Sequence, residues 1–137
     1  AAARFDSRVL VVEDNPVNQR VVKRVLENLG CTTALAENGR EALDVLTARA
    51  KDFDLVLLDL HMPEMDGITA VTAIRAGKAG PEAQALPVVA LTADARDDQR
   101  QRGMEAGLNG YLTKPLHVEE LVAVLRQFPA RAIGPKA

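Results

Sequence analysis

Leu55-Val56-Leu57-Leu58-Asp59 decides the fold of this chain, because four consecutive apolar residues lead directly into a carboxylate. A strand that is apolar throughout is expected where both faces of a sheet are covered, as in parallel α/β sheets. The same run bounded by polar residues is too short for a helix. Four further stretches predict strands, at residues 9–12, 32–36, 87–91 and 111–112.

Amphipathic stretches separate these strands, and they predict helices that begin near residues 16, 41, 66, 96 and 118. Asn15-Pro16 is typical of an N-cap followed by proline at the first helical position, and Gly30 ends that helix. Residues 76–86 predict a loop broken by glycine and proline. The first helix is predicted to bury Val17, Val21, Val22, Val25, Leu26 and Leu29, and the last to bury Val118, Leu121, Val122 and Leu125.

Five βα units predict one α/β domain with a parallel five-stranded sheet, helices on both faces and right-handed crossovers. The length of 137 residues agrees with a single domain. We expect a linker at residues 1–6, the domain at 7–128 and a tail or linker at 129–137.

The composition excludes several classes of function. The net charge of −2 argues against a surface for nucleic acid or membranes, which would be basic. Cys31 is the one cysteine, which rules out an internal disulfide and suits a reducing, cytoplasmic location. No apolar run approaches the roughly 20 residues of a membrane span, and no signal peptide opens the chain.

Polar residues follow the predicted strands at their carboxyl ends. This is the edge at which parallel α/β sheets bind ligands. These polar residues are Glu13, Asp14, Asp59, Thr92 and Lys114. Clustered carboxylates repel one another unless a cation offsets them, and Mg²⁺ prefers such hard oxygen ligands. A lysine suits phosphate, and a threonine hydroxyl can donate to a phosphoryl oxygen. These residue types are the components of phosphoryl transfer to a carboxylate nucleophile.

Four motifs carry a resemblance to a known family over roughly residues 7–128. They are Val12-Glu13-Asp14-Asn15-Pro16-Val17-Asn18-Gln19, Asp59-Leu60-His61-Met62-Pro63-Glu64-Met65-Asp66-Gly67, Leu91-Thr92-Ala93 and Tyr111-Leu112-Thr113-Lys114-Pro115. The chain resembles a two-component response-regulator receiver domain, most of all the receivers of hybrid sensor histidine kinases. The resemblance implies a flavodoxin-like (βα)5 fold with the strand order 2-1-3-4-5.

The resemblance also implies a role for each matching residue. Asp59 corresponds to the phosphoacceptor, and Thr92 and Lys114 to the residues that hold the phosphoryl oxygens. The implied ligands of Mg²⁺, or of Mn²⁺ as an alternative, are Glu13, Asp14, Asp59 and the backbone carbonyl of His61. Tyr111 corresponds to a switch residue that exchanges between exposed and buried positions, and Pro115 to a proline after a cis peptide bond. The implied partners are a histidine kinase domain and a histidine phosphotransfer protein.

Two other functions stay open at this point. A phosphatase of the haloacid-dehalogenase type also forms a phosphoaspartate, but that family has a second Asp two residues after the nucleophile, where this chain has His61. A pseudo-receiver would act only as a docking module, independent of phosphorylation. The receiver interpretation implies a signalling domain that assists its own phosphorylation, rather than an enzyme with a separate turnover reaction.

Overall fold

The computed structural model describes residues 5–60, 66–93 and 97–129, without the side chains of residues 97–99. Within these residues five parallel strands form one sheet in the order β2-β1-β3-β4-β5, which confirms the predicted architecture and strand order. The strands are β1 (Arg8–Val12), β2 (Thr32–Ala36), β3 (Leu55–Asp59), β4 (Val88–Thr92) and β5 (Gly110–Thr113).

Six α-helices connect or follow the strands in the described part of the chain. They are α1 (Pro16–Asn28), α2 (Gly39–Arg49), α3 (Gly67–Arg75), α4 (Pro81–Gln84), α5 (Asp97–Ala106) and α6 (Val118–Gln127), with a 3₁₀ turn at Ala50–Asp52. The prediction of a loop at residues 76–86 was wrong in part, since it contains α4. Pro81 starts this short helix and the buried Ala83 anchors it. Arg96, where the polar helix was expected to begin, lies outside the described residues.

Two apolar layers cover the sheet, one on each face. Alternate strand residues point to opposite faces, so each buried strand feeds both layers. Leu10, Val56 and Val88 belong to the layer under α2, α3 and α4. Their chain neighbours Val9, Leu55 and Val89 belong to the layer under α1 and α6.

The buried faces of α1 and α6 differ from the prediction at three valines. Val17, Val21 and Val118 are 58%, 50% and 47% exposed. In α1 the sheet is contacted by Val22 and Leu26, which are four residues apart, so Val17 and Val21 lie on the adjoining face. Two apolar side chains are therefore left in solvent next to the carboxyl edge of the sheet. None of the described helices combines the length and hydropathy that a membrane span requires.

Candidate functional site

The carboxylates that follow β1 and β3 lie together, because these strands are neighbours with Val12 opposite Leu58. Carboxylate oxygens of Glu13, Asp14 and Asp59 all lie within 4.8 Å of one another. Glu13 and Asp59 are only 1% and 3% exposed, whereas Asp14 is exposed. Two members of the cluster, Glu13 and Asp59, are therefore buried, and Asp14 faces solvent.

Residues at the start of α1 fix the position of Glu13. The backbone N–H of Asn15 donates to Glu13 Oε2 at 3.1 Å, and the side-chain amide of Gln19 donates to the Glu13 carbonyl at 2.6 Å. The Asn15 side chain in turn accepts hydrogen bonds from the first turn of α1, so it caps that helix as predicted. Gln19 was not singled out from the sequence, although its place one turn into α1 is what allows it to reach back.

Lys114 supplies the positive charge of the site. Its ammonium nitrogen lies 3.0 Å from Glu13 Oε1 and 3.2 Å from Asp59 Oδ2. Burial lowers the pKa of Lys114, but the hydrogen bond to Glu13 and the charges of Asp59 and Glu13 outweigh it, so the pKa is raised. Lys114 is therefore fully charged at neutral pH. The peptide bond from Lys114 to Pro115 is cis.

Thr92 ends β4 at the same edge of the sheet, and it is completely buried. The backbone N–H of Lys114 donates to the Thr92 carbonyl at 2.8 Å, which ties the fourth and fifth strand ends together. The structure thus places Thr92 on the strand beside β3, one residue beyond Leu91, which pairs with Asp59. His61, whose backbone carbonyl is the implied fourth metal ligand, lies outside the described residues.

Tyr111 lies away from the carboxylates and against α5. Its hydroxyl donates to the backbone carbonyl of Arg100 at 2.8 Å, and the Arg100 guanidinium carbon lies 5.7 Å from the ring centroid. Burial raises the pKa of Tyr111, with the positive charge of Arg100 opposing that shift in part. The side chain of Tyr111 is intermediate between exposed and buried.

The acidic cluster fits a hard divalent cation. All donors are carboxylate oxygens. The side chains of Glu13 and Asp59 are buried, and that of Asp14 is open to solvent. Mg²⁺ commonly takes one or two carboxylates, keeps several waters and accepts a phosphate oxygen. The exposed side of Asp14 leaves room for such water and phosphate ligands.

The family model described as the response regulator receiver domain matches residues 9–126. Sensor protein GacS of Pseudomonas syringae pv. syringae is 40% identical over 126 residues, which cover 92% of this chain and 14% of that protein. Osmosensing histidine protein kinase SLN1 of Saccharomyces cerevisiae is 38% identical over 133 residues, covering 94% of this chain and 11% of the kinase. The chain therefore spans only a small part of these relatives.

Solved structures have the same fold. The receiver domain of sensor histidine kinase PA1611 from Pseudomonas aeruginosa, with magnesium coordinated in its active site cleft, is 35% identical with a TM-score of 0.80. The match covers 90% of this chain and 97% of that one. A chain of the co-crystal structure of the phosphotransfer protein Ypd1 with the receiver domain of Ssk1, from Saccharomyces cerevisiae, matches at 28% identity and a TM-score of 0.81, over 93% and 91% of the two chains.

Proposed function

This chain belongs to the response regulator receiver domain family, and from that premise we propose that Asp59 accepts a phosphoryl group from a phosphohistidine of a partner protein. Receiver domains are signalling modules, so neither the phosphatase nor the docking-only alternative is favoured. The observation that carries the proposal is the contact of Asp59 with Lys114 at 3.2 Å, inside a cluster with Glu13 and Asp14. A carboxylate beside a fixed cation at an exposed edge is suited to nucleophilic attack on a phosphoryl group.

In the proposed reaction a carboxylate oxygen of Asp59 attacks phosphorus in line with the leaving imidazole. An O–P bond forms while the N–P bond of the phosphohistidine breaks, and the imidazole nitrogen keeps the bonding electron pair and takes up a proton. Lys114 holds the negative charge that the phosphoryl oxygens bring to the site, and Thr92 donates a hydrogen bond to one of them. The residues of this chain orient the reacting groups and neutralise their charge. The phosphohistidine of the donor supplies the free energy of the transfer.

We propose that Glu13, Asp14 and Asp59 hold Mg²⁺ and that the carbonyl of His61 completes the protein ligands, with Mn²⁺ as a substitute metal. The ion would neutralise part of the phosphoryl charge. The oxygen-only donor set and the solvent-facing Asp14 support this assignment. Since Lys114 already contacts both buried carboxylates, the metal and the lysine would share the acidic charge.

The donor is proposed to be a histidine kinase domain or a histidine phosphotransfer protein that docks on the exposed face of α1. Val17 and Val21 present apolar surface there, next to a cleft of about 220 Å³ that Val21 shares with Lys114 and Leu116. Arg20, Lys23 and Arg24 line the same face of the helix together with Glu27, which pairs with Lys23 at 3.5 Å, so the face keeps an excess of positive charge. A donor with an apolar centre and an acidic rim would complement this surface.

Thr92 and Tyr111 are proposed to carry the phosphorylation signal outward. Thr92 is buried at the end of β4, while Tyr111 belongs to the neighbouring strand β5 and contacts α5. A movement of Thr92 toward the phosphoryl group would change the space that Tyr111 can enter. We further propose that residues 7–128 form the working domain and that it acts in the cytoplasm, which the buried free thiol of Cys31 suits.

Labelling with a small phosphodonor tests the central assignment. Incubation with acetyl phosphate and Mg²⁺ should add one phosphoryl group, visible in the intact mass and removed by hydroxylamine, as expected for an acyl phosphate. Asp59→Asn should abolish the label. Asp52→Asn is the matched control, because Asp52 is exposed, pairs with Arg49 and precedes β3, at the opposite end of that strand from Asp59. Full labelling of the Asp59→Asn protein would refute the assignment.

A further inference from the structure

In the part of helix α5 whose side chains the structure describes, residues 100–106, there is no stripe of buried apolar side chains like those of the other long helices. Of the positions described at residues 100–106, only Gly103 is buried, Ala106 packs partly buried against the core at the end of the helix, and Met104 is 50% exposed. Amphipathic helices normally attach to a core through a stripe of apolar side chains. Here Ala106 offers one small apolar contact, and the fully buried position, Gly103, has no side chain, so other elements must supply further contacts.

Tyr111 supplies one of those contacts by reaching from β5 into the space at Gly103. A Cβ added at Gly103 would overlap the Tyr111 hydroxyl oxygen and would lie 2.9 Å from Cζ of the same ring. The hydroxyl donates to the Arg100 carbonyl, one turn earlier in the helix. The ring thus lies directly on the helix backbone, and only glycine permits that approach.

Gly103 has no conformational reason to be glycine. Its φ is not in the left-handed region, unlike that of Gly107, and glycine weakens a helix interior relative to alanine. The space for the tyrosine is therefore the reason that the structure offers. Leu108 Cδ1 would also lie 2.5 Å from the added Cβ, but a terminal methyl can rotate away more easily than a hydrogen-bonded ring.

We propose that Gly103 is a positioning residue for Tyr111, forming the seat on α5 in which the phenol ring lies. Filling the seat displaces the ring and takes away its bond to Arg100. The tyrosine then shifts toward its exposed position, and α5 loses a contact that compensates for the apolar stripe missing from residues 100–106. That this seat tunes the response to phosphorylation rests on the proposed function above.

The single tyrosine makes the proposal directly measurable, because the chain has one Tyr and no Trp. Acrylamide quenching of the intrinsic fluorescence therefore reports the exposure of Tyr111 alone. In Gly103→Ala we expect the quenching constant to rise at least about twofold toward that of the urea-unfolded protein. Gly110→Ala is the matched control, because the nearest atom to its added Cβ, Val89 Cγ2, is 3.8 Å away. Gly110→Ala should match the wild type.

A quenching constant in folded Gly103→Ala equal to that of the wild type would overturn the proposal, as would an equal rise in Gly110→Ala. If Gly103→Ala does not fold by circular dichroism, the double variant Gly103→Ala/Tyr111→Ala decides. Removing the ring should restore a cooperative urea transition. A double variant that stays unfolded would show that the glycine serves some other contact, and the proposal would be wrong.

Two further arms separate this inference from the proposed function. Quenching without a phosphodonor tests the seat alone, whereas acetyl phosphate labelling of Asp59 tests phosphorylation alone, and Gly103→Ala should still be labelled. Beryllofluoride with Mg²⁺ should change the quenching of the wild type and leave that of Gly103→Ala within error. An equal response in both proteins would refute a role for the seat in the switch.

Discussion

The ammonium group of Lys114 lies 3.2 Å from the Asp59 carboxylate, although 55 residues separate them in the chain. The contact exists because parallel strands bring their carboxyl ends to one edge, with β4 between the strands that carry the two residues. It joins a buried acid to a cation that is 28% exposed at its side chain. The lysine thus occupies oxygens that a metal would also need.

Replacing this lysine should therefore strengthen metal binding while it weakens phosphorylation. In Lys114→Met the ammonium group that competes with Mg²⁺ for the carboxylates and repels it is gone. We therefore expect the Kd for Mg²⁺ to fall about threefold to tenfold, as measured by calorimetry. Over the same range of Mg²⁺ concentrations, the rate at which acetyl phosphate labels Lys114→Met should be lower than that of the wild type. Lys51→Met is the control, since Lys51 is 73% exposed and pairs with Glu82. Unchanged Mg²⁺ affinity in Lys114→Met would contradict this account of the site.

A second buried carboxylate, Asp54, stabilises the opposite edge of the sheet. It is completely buried and accepts hydrogen bonds from the backbone N–H and the guanidinium of Arg8 at 2.9, 3.2 and 3.1 Å. Asp54→Ala leaves that N–H and the Arg8 side chain without these bonds, so we expect the free energy of unfolding to drop by about 2–4 kcal/mol. Urea denaturation measures this.

Asp52→Ala provides the comparison, because its pair with Arg49 is exposed and should contribute less than about 0.5 kcal/mol. Labelling of Asp59 should survive in folded Asp54→Ala protein, since the two acids lie at opposite ends of β3. A loss of stability equal to that of Asp52→Ala would show that the buried pair contributes little.

The sheet and the carboxylate cluster could be predicted because their signals are local. The run from Leu55 to Leu58 and the acid that ends it are adjacent in the chain, and parallel topology alone brings such ends together. Asp54 could not be predicted in the same way. An acid just before a strand looks like a loop residue until the fold places Arg8, 46 residues earlier, beside it.

The same distinction explains the other differences. The helical period places Val17 and Val21 near the buried stripe of α1, but only the docking angle of the helix decides which edge of that stripe reaches the sheet. Gly103 reads as a helix-weakening residue, and its purpose depends on a ring from another strand. Pair contacts between distant elements carry no periodic signal.

Cys31 should be unreactive in the folded protein. It is 6% exposed, and burial raises the pKa of its thiol to about 11, with the negative charge of Asp6 adding to the shift. The thiolate is the reactive form, so at pH 8 we expect Ellman's reagent to react at least about 100-fold more slowly with folded than with urea-unfolded protein. A comparable rate in both states would contradict the buried placement.

The same thiol predicts a loss of stability at alkaline pH. The folded pKa lies above the unfolded one, so the contribution is intact below the unfolded pKa. As pH rises toward 11, the unfolded state loses its proton while the folded state keeps it, and stability falls by up to about 2–3 kcal/mol. Cys31→Ala should remove this part of the decline in urea denaturation between pH 8 and 11. An identical decline in both proteins would assign it to other groups.

The exposed valines of α1 give the sharpest test of partner docking. Val21 is 50% exposed on the face that adjoins the cleft beside Lys114, and it does not belong to the acidic cluster. In Val21→Glu a charge replaces apolar surface at the proposed interface. We expect the kcat/KM of phosphotransfer from a phosphorylated histidine phosphotransfer protein to fall about tenfold, which is a loss of about 1.4 kcal/mol of binding.

Labelling by acetyl phosphate should not change in Val21→Glu, because a small donor reaches Asp59 without the helix face. Met104→Glu is the matched control: Met104 is also 50% exposed, but it lies on α5. If Met104→Glu slows protein phosphotransfer and Val21→Glu does not, the donor docks on α5. If Val21→Glu slows transfer from the phosphotransfer protein and from acetyl phosphate equally, the substitution has disturbed the acidic site itself. Only a change at Asp59 and its neighbours affects a donor that needs no docking surface.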